Sequence, residues 1–140
     1  ISELTETYQD FTGNYARVIS GGRNEAPAII KRNGKCVMIT SGLTGWKQNK
    51  ARLYTADNIF GPWQFHGNPC MGNDSEKPFH SQSTFLLKIE DEEDKYIFMA
   101  DRWRPEYPIE GTYVWLPVSF VNDLPVLNWK EKWNVETAFD

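Results

Sequence analysis

Apolar residues along this chain gather in short runs with a β-like pattern and turn signals between them. Ala28-Ile29-Ile30-Lys31 leads into Asn33-Gly34 and then Cys36-Val37-Met38-Ile39-Thr40. Asn-Gly between two apolar runs predicts a hairpin, because both central residues of a type I′ turn take positive φ. A third run, Ala51 to Thr55, is followed by the breaker Gly61-Pro62 and by Trp63-Gln64-Phe65, a short outer strand with Trp63 expected in the core. The pattern then recurs. Ser83-Thr84-Phe85-Leu86-Leu87 meets an acidic turn, Glu90 to Asp94, best read as a solvated hairpin tip. Tyr96 to Ala100, Tyr113 through Phe120, the turn Asn122-Asp123 and a closing strand Val126 to Trp129 complete it.

Val37 thus has a counterpart in Ile97, and Trp63 in Trp129. Two copies of a four-stranded antiparallel meander predict an all-β chain built of β-propeller blades. The expected division is a remnant of a preceding blade over 1–20, a blade over 21–68, an inter-blade loop over 69–80, and a blade with a C-terminal tail over 81–140. In the remnant, Leu4 to Tyr8 reads as a helical turn capped by Thr5, and Tyr15 to Ile19 as an outer strand. Two blades and a remnant cannot close a ring, since propellers typically need about four blades or more. The chain, which opens on Ile1, is therefore expected to be the C-terminal portion of something larger, and its uncovered blade faces are expected to favour self-association.

At 140 residues the chain has the length of one domain and can bury a core without staples. Its net charge of −4, with no basic block interleaved with aromatics, argues against nucleic acid. No apolar run reaches the roughly 18 residues of a spanning helix, so no membrane segment is expected. Aromatic residues make up 14%, with six Trp, a composition compatible with sugar-stacking platforms and equally with a Trp-rich β core. Cys36 and Cys70 match no metal or redox spacing; Cys36 reads as a buried thiol, and a pair between the two requires export. Neither a metal nor a cofactor is expected.

Asn24-Glu25-Ala26-Pro27 precedes the first strand of the first full blade. Innermost strands of a propeller line its channel, so a carboxylate there can face a ligand; the plain alternative is a solvent-facing loop Glu. Ser81-Gln82-Ser83-Thr84 holds the matching place in the next blade, preceded by His80. An amide at Gln82 can orient water or a sugar hydroxyl, or satisfy backbone groups between blades. His80 has no second ligand at metal spacing and reads as structural or substrate-contacting. Asp101-Arg102 reads as a structural ion pair. Trp46 and Trp103, in equivalent loops, are candidate walls of a sugar subsite. No GxSxG, P-loop, HExxH or GxGxxG motif occurs.

The ordered set Asn24-Glu25-Ala26-Pro27, Lys31-Arg32-Asn33-Gly34-Lys35, Thr40-Ser41-Gly42, Thr44-Gly45-Trp46, Gly61-Pro62-Trp63, Ser81-Gln82-Ser83-Thr84-Phe85 and Asp101-Arg102-Trp103 resembles glycoside hydrolase family 43, and within it the exo-β-1,3-galactanase and β-galactosidase-like branch. The resemblance implies a five-bladed propeller and an inverting acid/base mechanism on galactose-containing or arabinose/xylose-type polysaccharides. It implies that Glu25 is the general acid and that Gln82 stands in for a base. It also implies substrate contacts from Thr44, Trp46, His80, Arg102 and Trp103. The carboxylates that serve as base and tuner in the family belong to earlier blades, so the chain alone is expected to be inactive. A non-catalytic carbohydrate-binding propeller module is the alternative. Polysaccharide degradation implies an extracytoplasmic, secreted or periplasmic setting, although the chain shows no signal segment. An inverting site places its acid and its water activator roughly 6.5–9.5 Å apart, and the acid must stay protonated near neutral pH through burial or a neighbouring negative charge.

Overall fold

The structure is a computed structural model that describes residues 1–89 and 94–139. Four strands, β3 (Asn24–Arg32), β4 (Lys35–Gly42), β5 (Arg52–Ala56) and β6 (Gln64–Gly67), form an antiparallel meander in sequence order. Asn33 and Gly34 close its first hairpin with φ of 48° and 77°, the left-handed pair that a type I′ turn needs. This is the expected first blade. Ahead of it, β1 (Ser2–Leu4) and β2 (Phe11–Tyr15) pair as a separate antiparallel hairpin.

The second unit holds β8 (Gln82–Lys88), β9 (Tyr96–Arg102) and β10 (Thr112–Pro117), again antiparallel and in sequence order. Its fourth strand departs from expectation. After β11 (Ser119–Val121), β12 (Leu124–Asn128) folds back on β11 and pairs in parallel with β7 (Cys70–Met71), a two-residue strand inside the expected inter-blade loop. Pro117 ends β10 and Pro125 lies within β12. Neither has an N–H, so a ladder running through both would lose donors. Leu127 is fully buried where β12 meets β7, which ties the end of the chain to the junction between the blades.

Two smaller expectations also change. Leu4 to Tyr8 is the start of a hairpin turn, not a helical one. Thr5 N–H donates to the Asp10 carbonyl at 2.9 Å, and Tyr8 takes φ 59°, which ends any helical path. Of Tyr15 to Ile19, only Tyr15 lies in a strand. Trp63 precedes β6 and is half-buried; its indole N–H needs an acceptor and finds the Ile59 carbonyl at 3.2 Å in the loop.

The core lies between the two blades. Ile39, Phe98, Leu116 and Leu127 are 1% exposed or less and belong to one apolar cluster drawn from β4, β9, β10 and β12. Every residue of β4 from Cys36 to Gly42 is buried. Successive strand residues face opposite sides, so β4 is covered on both. The second blade is covered fully on one side, where Leu86, Phe98, Ala100, Val114 and Leu116 are buried, and only in part on the other, where Ile97 is buried but Phe85, Leu87, Tyr113 and Trp115 are exposed. Arg32 joins the blades at their turns. Its guanidinium is 2.7 Å from both Asp94 and Asp123 and lies 4.0 Å over the Phe120 ring. The rest of the acidic turn, 90–93, lies outside the described residues. Cys36 and Cys70 are both free and buried, and burial pushes the Cys70 thiol up to about 12. No helix among the described residues is long and apolar enough to cross a membrane.

Candidate active site

Glu25 stands on a distorted start of β3. It pairs with Ser41 across the sheet, and the register then slips before Ala28 pairs with Ile39. Ala26 takes φ 54°, and Pro27 has no N–H to give the ladder, so the strand bulges here. Hydroxyls satisfy the carbonyls that the bulge frees. Thr40 Oγ1 and Ser41 Oγ donate to the Glu25 carbonyl, the latter at 3.5 Å, and Ser83 Oγ donates to the Ala26 carbonyl at 2.7 Å. Thr40, Ser41 and Ser83 are themselves buried, so these bonds answer a cost on both sides. The bulge is therefore fixed in place by two strands of two blades, and it turns the Glu25 carboxylate toward the second blade.

There Gln82, the first residue of β8, meets it. Gln82 Nε2 donates to Glu25 Oε1 and to Ser41 Oγ, both at 2.7 Å. One N–H thus goes to the carboxylate and the other to the hydroxyl beside it. An amide can partner either protonation state of a carboxyl group: its NH2 donates to the anion, and turned over it accepts from the acid. Glu25 and Gln82 share the wall of a cavity of about 440 Å³ with Gly45, Trp46, Thr84, Asp101 and Trp103. Trp103 Nε1 donates to the Trp46 carbonyl at 3.0 Å, so the loops after β4 and β9 are tied together over the opening. Trp46 and Trp103 thus both line the cavity that holds Glu25.

Three other candidates lie elsewhere. Thr44 is held in its own loop, donating to the Lys47 carbonyl at 2.5 Å and accepting from Asn49 Nδ2 at 2.6 Å; it lines a different cavity beside Arg23 and Arg52. His80 sits 3.3 Å from Asp74 and faces a cavity with Phe79 and Trp129. Arg102 does not pair with Asp101. Its Nε and one terminal nitrogen clasp the Phe79 carbonyl at 3.1 and 2.7 Å, and the guanidinium lies 5.4 Å from the Trp129 ring. Pro78, Phe79 and His80 all take positive φ, so this grip holds a strained turn that leads directly into Gln82. Arg102 thus positions the start of β8. Among the described residues, no three His, Cys, Asp or Glu side chains gather as a metal-binding group.

A scan against family models and a search of curated proteins give no match. Solved structures do match. A family 43 β-1,3-galactosidase, solved with galactodeoxynojirimycin, is 47% identical over 95% of this chain, with a TM-score of 0.91. The chain belongs to glycoside hydrolase family 43. An exo-β-1,3-galactanase from Clostridium thermocellum is 32% identical over 91% of this family 43 chain, with a TM-score of 0.77. Another from Phanerochaete chrysosporium, a variant solved with β-1,3-galactotriose, is 28% identical over 90%, with a TM-score of 0.80. This family 43 chain spans 39%, 27% and 28% of those three chains, respectively. Its paired blades are thus a part of the family's β-propeller.

One cavity residue escaped the sequence reading of its role. Asp101, read as the partner of Arg102, instead faces the Glu25 cavity in this family 43 chain. The signal was available, because adjacent residues of a strand point to opposite faces and do not readily pair. Asp101 is also the register partner of Gln82, which places both on one rim.

Proposed function

We propose that this chain carries the general acid of an inverting glycosidase acting on β-linked, galactose-containing glycans, with β-1,3-galactan the leading substrate class. The observation that supports this reading most is the Glu25 carboxylate, held by a hydroxyl-pinned bulge, in a cavity with an amide and two indoles. Glu25 gives its proton to the departing glycosidic oxygen while water attacks the anomeric carbon from the opposite face. At 2.7 Å, the direct Gln82–Glu25 bond leaves no room for a sugar and a water between them. Sugar binding therefore has to part the two side chains, freeing the Gln82 amide to orient the attacking water. The amide can take up the water's proton on oxygen while its nitrogen releases one to solvent water, and the reverse exchange with solvent returns the imidic acid so formed to the amide. The indoles of Trp46 and Trp103 offer the apolar face of the sugar a platform.

The further carboxylates of the family's site are assigned to the remaining length of the family's chains. The 140-residue chain alone is accordingly expected to show no turnover. With the rest of the propeller supplied, β-1,3-galactobiose should release α-galactose first, as read by early-time proton NMR of the anomeric signals, and Glu25→Gln should abolish that release. First release of the β anomer would overturn the inverting mechanism. Sugar binding with no hydrolysis by the completed propeller would favour a carbohydrate-binding module.

A further inference from the structure

Gln82 stands where β8 has the least of its own to hold it. It is the first residue of the strand, and the register slips between Ser83 and Phe85, so a short stretch of regular pairing with β9 separates it from that irregularity. The amide itself is fixed by its bonds to Glu25 and Ser41. A sugar that parts Gln82 from Glu25 removes the first of these, and the backbone ahead of Gln82 then has to keep the amide in place. That backbone is the turn Pro78–His80. Phe79 and His80 take φ of 58° and 64°, a left-handed pair with no glycine in it. Residues with a Cβ hold such a conformation only where their surroundings over-determine it. Here the surroundings do so. Ser81 N–H donates to the Lys77 and Pro78 carbonyls at 3.2 and 3.1 Å, and Ser81 Oγ donates to the Pro78 carbonyl at 2.6 Å. The Phe79 ring is 2% exposed and lies 5.5 Å from the Trp129 ring. Arg102 closes the arrangement, with Nε and one terminal nitrogen donating to the Phe79 carbonyl at 3.1 and 2.7 Å. Two donors of one rigid fork on one carbonyl fix its direction as well as its distance. Both ends of the segment thus reach the same stretch of β9: Arg102 holds Phe79, and its neighbour Asp101 pairs with Gln82.

We infer that Arg102 is a positioning residue for the attack of water: by clamping the Phe79 carbonyl it fixes where the Gln82 amide stands once the sugar has parted it from Glu25. This rests on the reading of Gln82 above and adds to it the residue through which the fold sets that amide. An amide is a weak base, so its contribution lies in where it holds the water, and a displacement of about 1 Å can cost about 10²-fold. The test uses the completed propeller. Arg102→Met keeps an apolar stem beside Trp129 and removes both donors. It should lower kcat on β-1,3-galactobiose about 10- to 100-fold and leave KM within about twofold of wild type. Arg102→Lys, which restores one donor, should recover part of that loss. Azide separates misplaced water from a smaller amount of folded enzyme, because it attacks without giving up a proton. On an activated aryl β-galactoside its terminal nitrogen bonds to the anomeric carbon as the bond to the phenol oxygen breaks and the phenolate leaves. Azide should therefore raise the rates of Arg102→Met and of Gln82→Ala, with α-galactosyl azide as the product by NMR, and leave the wild-type rate unchanged. If azide rescues Gln82→Ala while Arg102→Met is either fully active or slow and not rescued, the role of Arg102 is overturned and that of Gln82 stands. If azide does not rescue Gln82→Ala, the reading of Gln82 falls and this inference with it. A raised KM at unchanged kcat in Arg102→Met would make Arg102 a sugar-binding residue. Loss of the wild-type near-UV circular dichroism in both Arg102 variants would make it a folding residue, and either result overturns the inference.

Discussion

The two blades share a meander but not an environment. In the first, β4 is buried from Cys36 to Gly42, flanked by strands of its own sheet and covered on both faces. In the second, one face packs on the first blade, and the other presents Phe85, Leu87, Tyr113 and Trp115 to solvent. Propeller blades are built to be sandwiched, so the difference separates what this chain stabilises internally from what it leaves for a neighbour to cover. The site follows the same division. The bulge at Glu25 and Ala26 is locked by hydroxyls from both blades, Thr40 on the Glu25 carbonyl and Ser83 on the Ala26 carbonyl, whereas Asp101 and Tyr113 lie on the open side.

The contrast can be broken by paired substitutions followed by urea unfolding. Phe98→Ala, in the shared core, should cost about 3–5 kcal/mol, since a fully buried ring leaves a cavity that β4 and β10 cannot fill. Arg32→Ala should cost roughly 1–2 kcal/mol through loss of the cation–π contact and of the bonds joining the two turns. That clasp should also depend on pH. The hydrogen bond from Arg32, followed by that from Asn33, holds the Asp123 carboxyl below its ordinary value of 3.8. Its contribution is therefore present above the unfolded value and is lost as pH falls through the depressed folded one. Arg32→Ala should flatten stability in that acidic window.

Gly34→Ala should cost about 1 kcal/mol, because φ is +77° there and no neighbour lies close enough to clash, so the effect is backbone strain alone. The smallest change in stability belongs to the open face. Phe85→Ser is expected to stay within about 0.5 kcal/mol of wild type. A large loss of stability at Phe85 would mean that this face is packed within the chain after all.

Much of this arrangement was legible because it is local. Asn33-Gly34 marks a turn whose φ values only a few residues accept, and the recurrence of strand-length runs marks the blades. Glu25 and Gln82 were paired by their matching places in successive blades, and the structure joins them by a hydrogen bond. What was not legible depends on pairing partners distant in the chain. The parallel bond of β12 to Cys70–Met71 has no signature in either segment, and Thr44 bonds into its own loop through Asn49 rather than facing the cavity. Arg102 looked like a ligand-facing cation, but a carbonyl exposed by a strained turn claims it. Asp101 could have been found by strand parity, which separates it from Arg102 and aligns it with Gln82.

The claim at the centre is that Glu25 supplies a proton to a leaving oxygen. It is tested most directly by the leaving-group dependence of Glu25→Gln in the completed propeller. Hydrolysis of β-1,3-galactobiose, whose leaving alcohol needs that proton, should fall about 10²–10⁴-fold in kcat/KM. Hydrolysis of an aryl β-galactoside with a strongly activated phenol, which needs little protonation, should fall far less. An equal loss on both substrates would contradict the account and make Glu25 a residue that binds or orients the sugar.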